Sequence, residues 1–274
     1  SHVYQYTFNE EILEEWTFSK KYPSQPEMYE YFQHVADKLD LRKDITFNTR
    51  VTSAEYDGEA GTWDVETDDG ERISTQFFIS AVGALSDPVI PDFDNVDAFE
   101  GQTFHPARYP KDGVEYEGKR VAVIGTGSTG IQISPQIADR NVEDLTVFQR
   151  TPNYAIPAQN EPRDEDDWEE IKNNYDDILE KSENSGTGYP FEPVRGTAAD
   201  LSMEEVRDIL DDRWEKGGFR FNVAFEDLIV TKDTAEKVSE YIRERIREQL
   251  DDPELREKLV PDDHYYGTKR PPLE

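Results

Sequence analysis

The spacing of apolar residues predicts a helix followed by short antiparallel strands near the start of the chain. Between residues 24 and 41, apolar side chains recur every three or four positions, as in an amphipathic helix, and Pro26 suits its first turn. Short runs rich in β-branched and aromatic residues follow at 45–47, 51–56, 62–67 and 72–74. Asp-Gly and Asp-Asp-Gly turns lie between some of these runs, so we expect a small antiparallel meander.

A continuous apolar run at residues 76–82 predicts a buried strand that ends at Gly83. A crossing segment punctuated by prolines follows it. Residues 120–124 then predict a second buried strand, 125–130 a glycine turn, 131–139 a helix and 144–149 another strand. This order is that of a βαβ unit.

Helical periodicity dominates the chain from residue 162 to residue 259, most clearly at 165–181, 203–216 and 235–250. The whole pattern predicts an α/β protein with a helical insertion after its βαβ unit.

Composition narrows the classes of function. The chain has 61 Asp and Glu against 30 Lys and Arg, a net charge of −31, which disfavours sequence-independent binding of nucleic acid or of an anionic membrane. No cysteine is present, so thiolate metal sites, iron–sulfur clusters and cysteine nucleophiles are excluded. The histidines, at positions 2, 34, 105 and 264, are too dispersed to suggest a metal site.

No stretch of the sequence approaches the roughly 20 apolar residues of a membrane span, and the first residues lack the pattern of a signal peptide. We therefore expect a soluble, cytoplasmic protein. The acidic excess is spread along the chain, as in proteins kept soluble in concentrated salt, and this favours a halophilic source over an ordinary acidic protein.

A G-x-G-x-x-G motif follows the first strand of the βαβ unit and opens its helix. In a dinucleotide-binding turn, Gly125 permits the tight turn, Gly127 lets the backbone approach a pyrophosphate, and Gly130 lets helix and strand pack closely. The alternative is a glycine-rich turn without a ligand; a hydrolase nucleophile elbow is excluded because position 126 is threonine. The residues predicted to contact the nucleotide here are Gly125, Thr126, Gly127, Ser128, Thr129, Gly130, Ile131 and Gln132.

The end of the second strand of this unit predicts which nicotinamide nucleotide binds. An NAD-binding protein places Asp or Glu there, whereas this chain has Arg150 and Thr151 after Gln149. A guanidinium can hold a 2′-phosphate through paired charge-assisted hydrogen bonds, so NADP(H) is favoured. The alternative is that Arg150 balances neighbouring carboxylates.

Residues 99–110, Phe-Glu-Gly-Gln-Thr-Phe-His-Pro-Ala-Arg-Tyr-Pro, resemble the F-x-G-x-x-x-H-x-x-x-W-P motif of Baeyer–Villiger monooxygenases. The match involves Phe99, Gly101 and His105, while Tyr109 stands where that family usually has tryptophan. Segments at 22–27, 81–91, 149–153 and 267–272 are also similar to this family. The resemblance is strongest to the cyclohexanone monooxygenase type within the flavin-containing monooxygenase superfamily.

The resemblance implies FAD and NADPH as cofactors, O₂ as co-substrate, and conversion of a ketone to an ester or lactone through a C4a-peroxyflavin. It implies that Arg270 stabilises the oxygenated flavin and that Lys269 joins Arg150 and Thr151 around the 2′-phosphate. Without the resemblance, an exposed basic pair would be an equally good interpretation of Lys269 and Arg270.

The resemblance also implies FAD contacts near three residues, each of which could instead be a packing or turn position: Gln25, Val51 and Ala81. In the linker motif that contains Phe99, Gly101 and Tyr109, it implies a conformational role for His105. Hydrogen bonding at a hinge, or a purely structural histidine, is favoured there over proton transfer.

The fold that the resemblance implies is a flavoprotein with two dinucleotide-binding domains. We expect a partial FAD-binding domain with linker at 1–110, an NADP-binding domain with a helical insertion at 111–260, and a return towards the FAD domain at 261–274. The FAD-binding glycine motif of the family is not in this sequence, so we expect an internal fragment that is inactive alone. The alternatives are an N- or S-oxygenating flavin monooxygenase acting on a heteroatom, and a non-catalytic NADP-binding remnant.

Overall fold

The computed structural model of the protein describes residues 2–83, 85–191, 197–269 and 271–273, which form a mixed α/β structure. The strands of these residues are β1 Val51–Asp57, β2 Thr62–Thr67, β3 Arg72–Thr75, β4 Arg120–Ile124 and β5 Asp144–Phe148. The α-helices are α1 Glu10–Glu15, α2 Gln25–Lys38, α3 Ser128–Ala138, α4 Glu165–Asn173, α5 Tyr175–Glu183, α6 Met203–Lys216, α7 Phe219–Asn222, α8 Lys232–Gln249 and α9 Pro253–Leu259. Short 3₁₀ turns lie at His2–Tyr4, Leu41–Asp44, Val96–Ala98, Pro106–Arg108 and Ala198–Asp200.

The chain divides into two compact units. The first unit contains residues 1–28 and 112–274, and the second contains residues 29–111. The domain division expected from the sequence, at 110 and 260, stays a prediction.

The second unit contains the predicted meander. Strand β1 pairs with β2 and β2 with β3, all antiparallel, with Tyr56 opposite Trp63 and Val65 opposite Ile73. The first turn is held by Asp57, whose carboxylate accepts hydrogen bonds from the backbone N–H groups of Glu59 and Ala60. The prediction of three of the strands is thereby confirmed.

Two other predicted strands are wrong. Residues 45 and 46 follow a 3₁₀ turn, and residue 47 already lies in the next turn, where Asn48 has φ of 57° and bends the backbone away from a strand. Residues 76–82 pair with no strand of the described chain, and Phe77 and Ile79 are 81% and 86% exposed. An apolar run becomes a strand only where a neighbour satisfies its backbone N–H and C=O groups, and none lies beside this segment among the described residues.

The first unit contains the predicted βαβ element. Strands β4 and β5 pair in parallel, with Ala122 opposite Thr146 and Ile124 opposite Phe148. Helix α3 joins them and begins at Ser128, three residues earlier than predicted, because the last glycine of the motif lies within its first turn.

In the helical insertion, the observed helix bounds agree with the predicted ones where the sequence contains strong capping residues. Helix α6 has the predicted bounds, since Ser202 and Glu205 form a reciprocal capping box and Gly217, with φ of 60°, ends it. The predicted helix at 165–181 is instead two helices, α4 and α5, because Asn174 interrupts it and its side chain bonds back to the carbonyl of Glu170. Every helix of the described residues is too short or too polar to cross a bilayer.

The core of the first unit lies between α6, α7 and α8. Helix α8 contributes Val238 and Ile242 at a spacing of four, and α6 contributes Val206 and Leu210 at the same spacing, all completely buried. Phe221 of α7 packs between these helices. The core also includes Tyr154 and Ile156, which follow β5 in the chain.

One buried carboxylate links the 3₁₀ turn Ala198–Asp200 to the start of α8. Asp227 is 5% exposed and accepts hydrogen bonds from the Ala198 N–H, at 3.3 Å, and from the Thr234 hydroxyl, at 2.5 Å. The ammonium of Lys237 donates to the carbonyls of Ala198, Ala199 and Leu201. The turn Ala198–Asp200 is therefore bonded both through a backbone N–H and through its carbonyls.

We expect Asp227→Ala to lower the free energy of unfolding of the first unit by about 2–4 kcal/mol, since it leaves two buried donors unsatisfied. Denaturant unfolding followed by circular dichroism measures the change. Asp208→Ala, on the exposed face of α6, is the control and should change stability little. Equal stability of the two variants would contradict a structural role for Asp227.

Candidate functional site

The glycine turn joins β4 to α3 at the carboxyl edge of the parallel strand pair. Gly125 has φ of 106°, a conformation that favours glycine, and its N–H donates to the carbonyl of Phe148 at 2.8 Å. Ile124 and Phe148, the last residues of β4 and β5, are 65% and 55% exposed beside the turn. The turn therefore has an open apolar flank at the edge where α/β sheets bind ligands.

The other two glycines of the motif meet different surroundings. A Cβ at Gly130 would lie 2.0 Å from the carbonyl oxygen of Gly125, so only glycine allows α3 to start this close to the turn. A Cβ at Gly127 would meet no protein atom within 4 Å. Protein packing thus explains Gly130, whereas the space over Gly127 is open to a ligand.

The first turn of α3 presents backbone N–H groups towards this space. Gly127 is the N-cap residue and offers no side-chain acceptor to them; α5, α7 and α8 likewise lack a side-chain cap, whereas side chains cap α1, α4, α6 and α9. Free N–H groups and the helix dipole favour an anion at such an end. The turn therefore has the backbone donors and the open space that an anionic group requires.

The end of β5 lies next to the turn. The hydroxyl of Thr126 donates to the carbonyl of Thr151 at 3.1 Å, so the glycine turn and the segment after β5 are held together. Arg150 is exposed, and the amide of Gln149 donates to the carbonyl of Lys258 at 2.6 Å. Arg150 is therefore positioned at the edge of the turn with a solvent-accessible guanidinium.

The C-terminal segment returns to the same unit. The Ile156 N–H donates to the carbonyl of Pro272 at 3.1 Å, and the amide of Gln132 donates to the carbonyl of Leu273, also at 3.1 Å. Sequence reasoning missed this connection, because a hydrogen bond between α3 and a segment 141 residues later leaves no local pattern.

Lys269 is exposed in this segment, and Arg270, the predicted catalytic residue, lies outside the described residues. The pKa of the neighbouring Asp263 carboxyl is lowered, mainly by its hydrogen bond with His264 and also by the charge of Lys269. The charges of Lys269 and Asp263 therefore interact in this structure.

The linker residues lie in the second unit. A Cβ at Gly101 would lie 2.5 Å from the ring of Phe99, which explains the F-x-G spacing as ring packing over a glycine. The Nδ1 atom of His105 accepts a hydrogen bond from the Ala107 N–H at 3.2 Å and caps the turn Pro106–Arg108. Tyr109 is 45% exposed, with its ring 6.4 Å from that of Phe104.

The residues predicted to contact FAD are all exposed. Gln25 begins α2, Val51 begins the edge strand β1, and Ala81 lies in the segment without regular structure. Their assignment to FAD stays a prediction, as do the roles of the linker residues. The described residues contain no group of acidic or histidine side chains arranged to hold a metal ion.

Comparison with known proteins finds one protein family and several monooxygenases to which this chain is similar. Residues 9–159 match the family described as FMO-like, flavin-binding monooxygenase-like. Cyclohexanone 1,2-monooxygenase of Acinetobacter sp. is 38% identical over 273 residues, which cover 99% of this chain and 50% of that protein. Phenazine N-monooxygenase PhzNO1 of Lysobacter antibioticus is 39% identical over 273 residues, with the same coverage of both chains.

A solved structure, an oxidised steroid monooxygenase bound to NADP, superimposes with a TM-score of 0.94 at 45% identity. The superposition covers 100% of this chain and 52% of that one. The chain spans about half the length of the curated relatives it matches.

Proposed function

Because the chain belongs to the flavin-binding monooxygenase-like family, we propose that its first unit binds NADPH and that the whole protein is a Baeyer–Villiger monooxygenase. Its reaction takes a ketone, O₂, NADPH and a proton to an ester or lactone, water and NADP⁺. The observation that carries this proposal is the βαβ element, with its open, uncapped helix end and Arg150 at the adjacent strand end.

Different groups of residues bind different parts of the nucleotide. The N–H groups at the start of α3 hold the pyrophosphate over Gly127, and Arg150 and Thr151, with Lys269, hold the 2′-phosphate. In the whole protein the cofactors supply hydride transfer from nicotinamide to flavin and transfer of one oxygen atom from O₂ to the substrate. Arg270 provides a fixed positive charge near the reacting atoms, where a preformed cation stabilises developing negative charge.

Calorimetric titration of the chain with NADPH and NADH tests the binding step. Tight binding of NADPH with much weaker binding of NADH is expected, and absence of binding by either nucleotide would contradict the proposal. The non-catalytic alternative, a nucleotide-binding remnant, predicts the same binding but no oxygenation by the whole protein.

A second candidate is N-oxygenation or S-oxygenation, favoured by the similarity to a phenazine N-monooxygenase. The substrate classes differ, since a ketone has an electrophilic carbon whereas an amine or sulfide has a nucleophilic heteroatom. Assaying the whole protein with a cyclic ketone, a tertiary amine and a thioether separates them. Ester formation supports the first candidate, and N-oxide or sulfoxide formation without ester supports the second.

We propose further that the protein works in the cytoplasm of a halophile, on the basis of its net charge of −31. Self-repulsion among the carboxylates is strongest at low ionic strength, since the Debye length at about 0.01 M salt is about 30 Å and repulsion extends over that distance, and it falls as salt rises.

Potassium chloride is accordingly expected to raise the melting temperature of the chain continuously from about 0.01 M to above 1 M. Differential scanning fluorimetry at fixed pH measures this dependence, with a neutral osmolyte as the control for solvent exclusion. A melting temperature that is constant or falls across this range would contradict the halophilic origin.

A further inference from the structure

A cleft of about 470 Å³ in the first unit collects positive charge in a protein with a net charge of −31. None of its lining residues belongs to the nucleotide site proposed above. Two carboxylates, those of Glu161 and Glu215, also line the cleft. The cations around it are Lys21, Arg163, Arg213, Lys216 and Arg220.

Backbone geometry brings these cations together from distant parts of the chain. Lys21 and Arg163 are fixed by antiparallel pairing, in which the Lys21 N–H donates to Glu161 and the Arg163 N–H donates to Ser19. Gly217 and Gly218 then end α6 with positive φ angles. A Cβ at Gly218 would lie 1.7 Å from the Tyr22 hydroxyl oxygen, so this close approach needs glycine.

Two of the cations, Lys21 and Arg220, form no ion pair with a carboxylate in the part of the chain that the structure describes, although the charges of Glu161 and Asp212 act on them from further away. Lys21 is 9% exposed, and its ammonium donates to the carbonyls of Lys216, at 2.6 Å, and Ala158, at 3.5 Å, and to no carboxylate. Arg220 lies over the ring of Phe191 at 4.5 Å and forms no ion pair with a described carboxylate. By contrast, Arg163 pairs with Asp167 and Lys216 with Asp212.

Without a bound anion, burial and neighbouring cations both disfavour the charged forms of Lys21 and Arg220. Burial lowers the pKa of Lys21, and the charges of Arg220 and Arg163 lower it further, against the opposite effect of Glu161. Burial also lowers the pKa of Arg220, and the charges of Arg213 and Arg163 lower it further, against the opposite effects of Tyr22 and Asp212. A bound anion would remove this repulsion and accept hydrogen bonds from several donors at once.

A second space of about 370 Å³ shares Arg163 and Arg220 with the cleft as lining residues. Apolar side chains, Ile171, Ile178 and Phe191, form part of its wall. The first space has the charge for an oxyanion, and the second has room for an organic group attached to it.

We propose that this cleft is a binding site for a phosphate-type oxyanion, held by Arg220, Arg213 and Lys21. The site is separate in its residues from the glycine turn and does not depend on the function proposed for that turn. Free phosphate and an organic phosphate ester share the chemistry that the cations recognise.

Calorimetric titration of the chain with orthophosphate and with phenyl phosphate, at constant ionic strength in chloride, tests the site. Binding of either probe is expected, and tighter binding of phenyl phosphate identifies an organic phosphate as the source of the oxyanion. Arg220→Gln should weaken binding by about tenfold or more, the loss expected for one charge-assisted contact. Arg213→Gln should act in the same direction, which keeps the test valid if one variant folds poorly.

Glu161→Gln should have the opposite effect and strengthen binding several-fold, because it removes a negative charge from the cleft wall. Arg207→Gln is the matched control, since Arg207 pairs with Glu244 away from the cleft and should leave binding unchanged. The proposal is overturned if neither probe binds. It is also overturned if affinity falls with Arg150→Gln while Arg220→Gln and Arg213→Gln leave it unchanged, because the oxyanion would then bind beside the glycine turn.

Discussion

Arg150→Asp is expected to lower the affinity for NADPH by about 100- to 1,000-fold, which corresponds to about 3–4 kcal/mol of lost binding energy. The exposed guanidinium at the end of β5 is replaced by a carboxylate that repels the 2′-phosphate. The same carboxylate can accept hydrogen bonds from the ribose hydroxyls of NADH. The preference between the two nucleotides should therefore reverse, as measured by titration with each.

Arg140→Asp is the matched control for this change. It makes the same change in charge on an exposed arginine just beyond the other end of α3, so long-range electrostatics change similarly while the strand end is intact. Helix α3 is 11 residues long, which places Arg140 about 16 Å or more from the glycine turn. Unchanged discrimination in Arg150→Asp, or an equal loss in both variants, would remove Arg150 from the 2′-phosphate site.

The second large effect is expected from two substitutions in the glycine motif. One should lower both folding stability and NADPH affinity, and the other should lower NADPH affinity alone. Gly130→Ala forces a Cβ to 2.0 Å from a backbone oxygen, so α3 must move. We expect a loss of about 3 kcal/mol of folding stability together with loss of NADPH binding. Gly127→Ala meets no protein atom within 4 Å and has an ordinary φ of −75°, so its stability should be unchanged.

NADPH affinity should nevertheless fall by about tenfold or more in Gly127→Ala, since the added methyl group occupies the space proposed for the pyrophosphate. Chemical denaturation and nucleotide titration of both variants measure the two effects separately. Gly186→Ala, at an open position outside the motif, is the control for the substitution itself. A Gly127→Ala variant with full nucleotide affinity would place the ligand elsewhere.

Where end signals are local, the sequence predicted elements well. Helix α6 has its predicted bounds because Ser202, Glu205 and Gly217 act within a turn of the helix ends. The strands of the meander were predicted because period-two patterns and turn residues are also local. The prediction failed at residues 76–82, since a strand depends on a partner that the run itself does not specify.

The candidate site shows the same division. The order of strand, glycine turn and helix indicated the position of the proposed nucleotide site, because the φ of Gly125 and the packing of Gly130 are constraints within a few residues. The difference between Gly130, held by packing, and Gly127, open to a ligand, came only from the atoms around them. The bond from Gln132 to Leu273 likewise required the folded chain.

The sequence by itself determined the acidic character, the βαβ element and the basic residue at its strand end, since composition and local spacing carry each of these. Only the tertiary structure decided that Lys21, Arg213 and Arg220 share one cleft. These residues lie up to 199 positions apart in the sequence, and no periodic pattern of the sequence relates them. Backbone pairing and glycine-mediated close approach brought them together, because contacts between distant segments depend on the path of the whole chain.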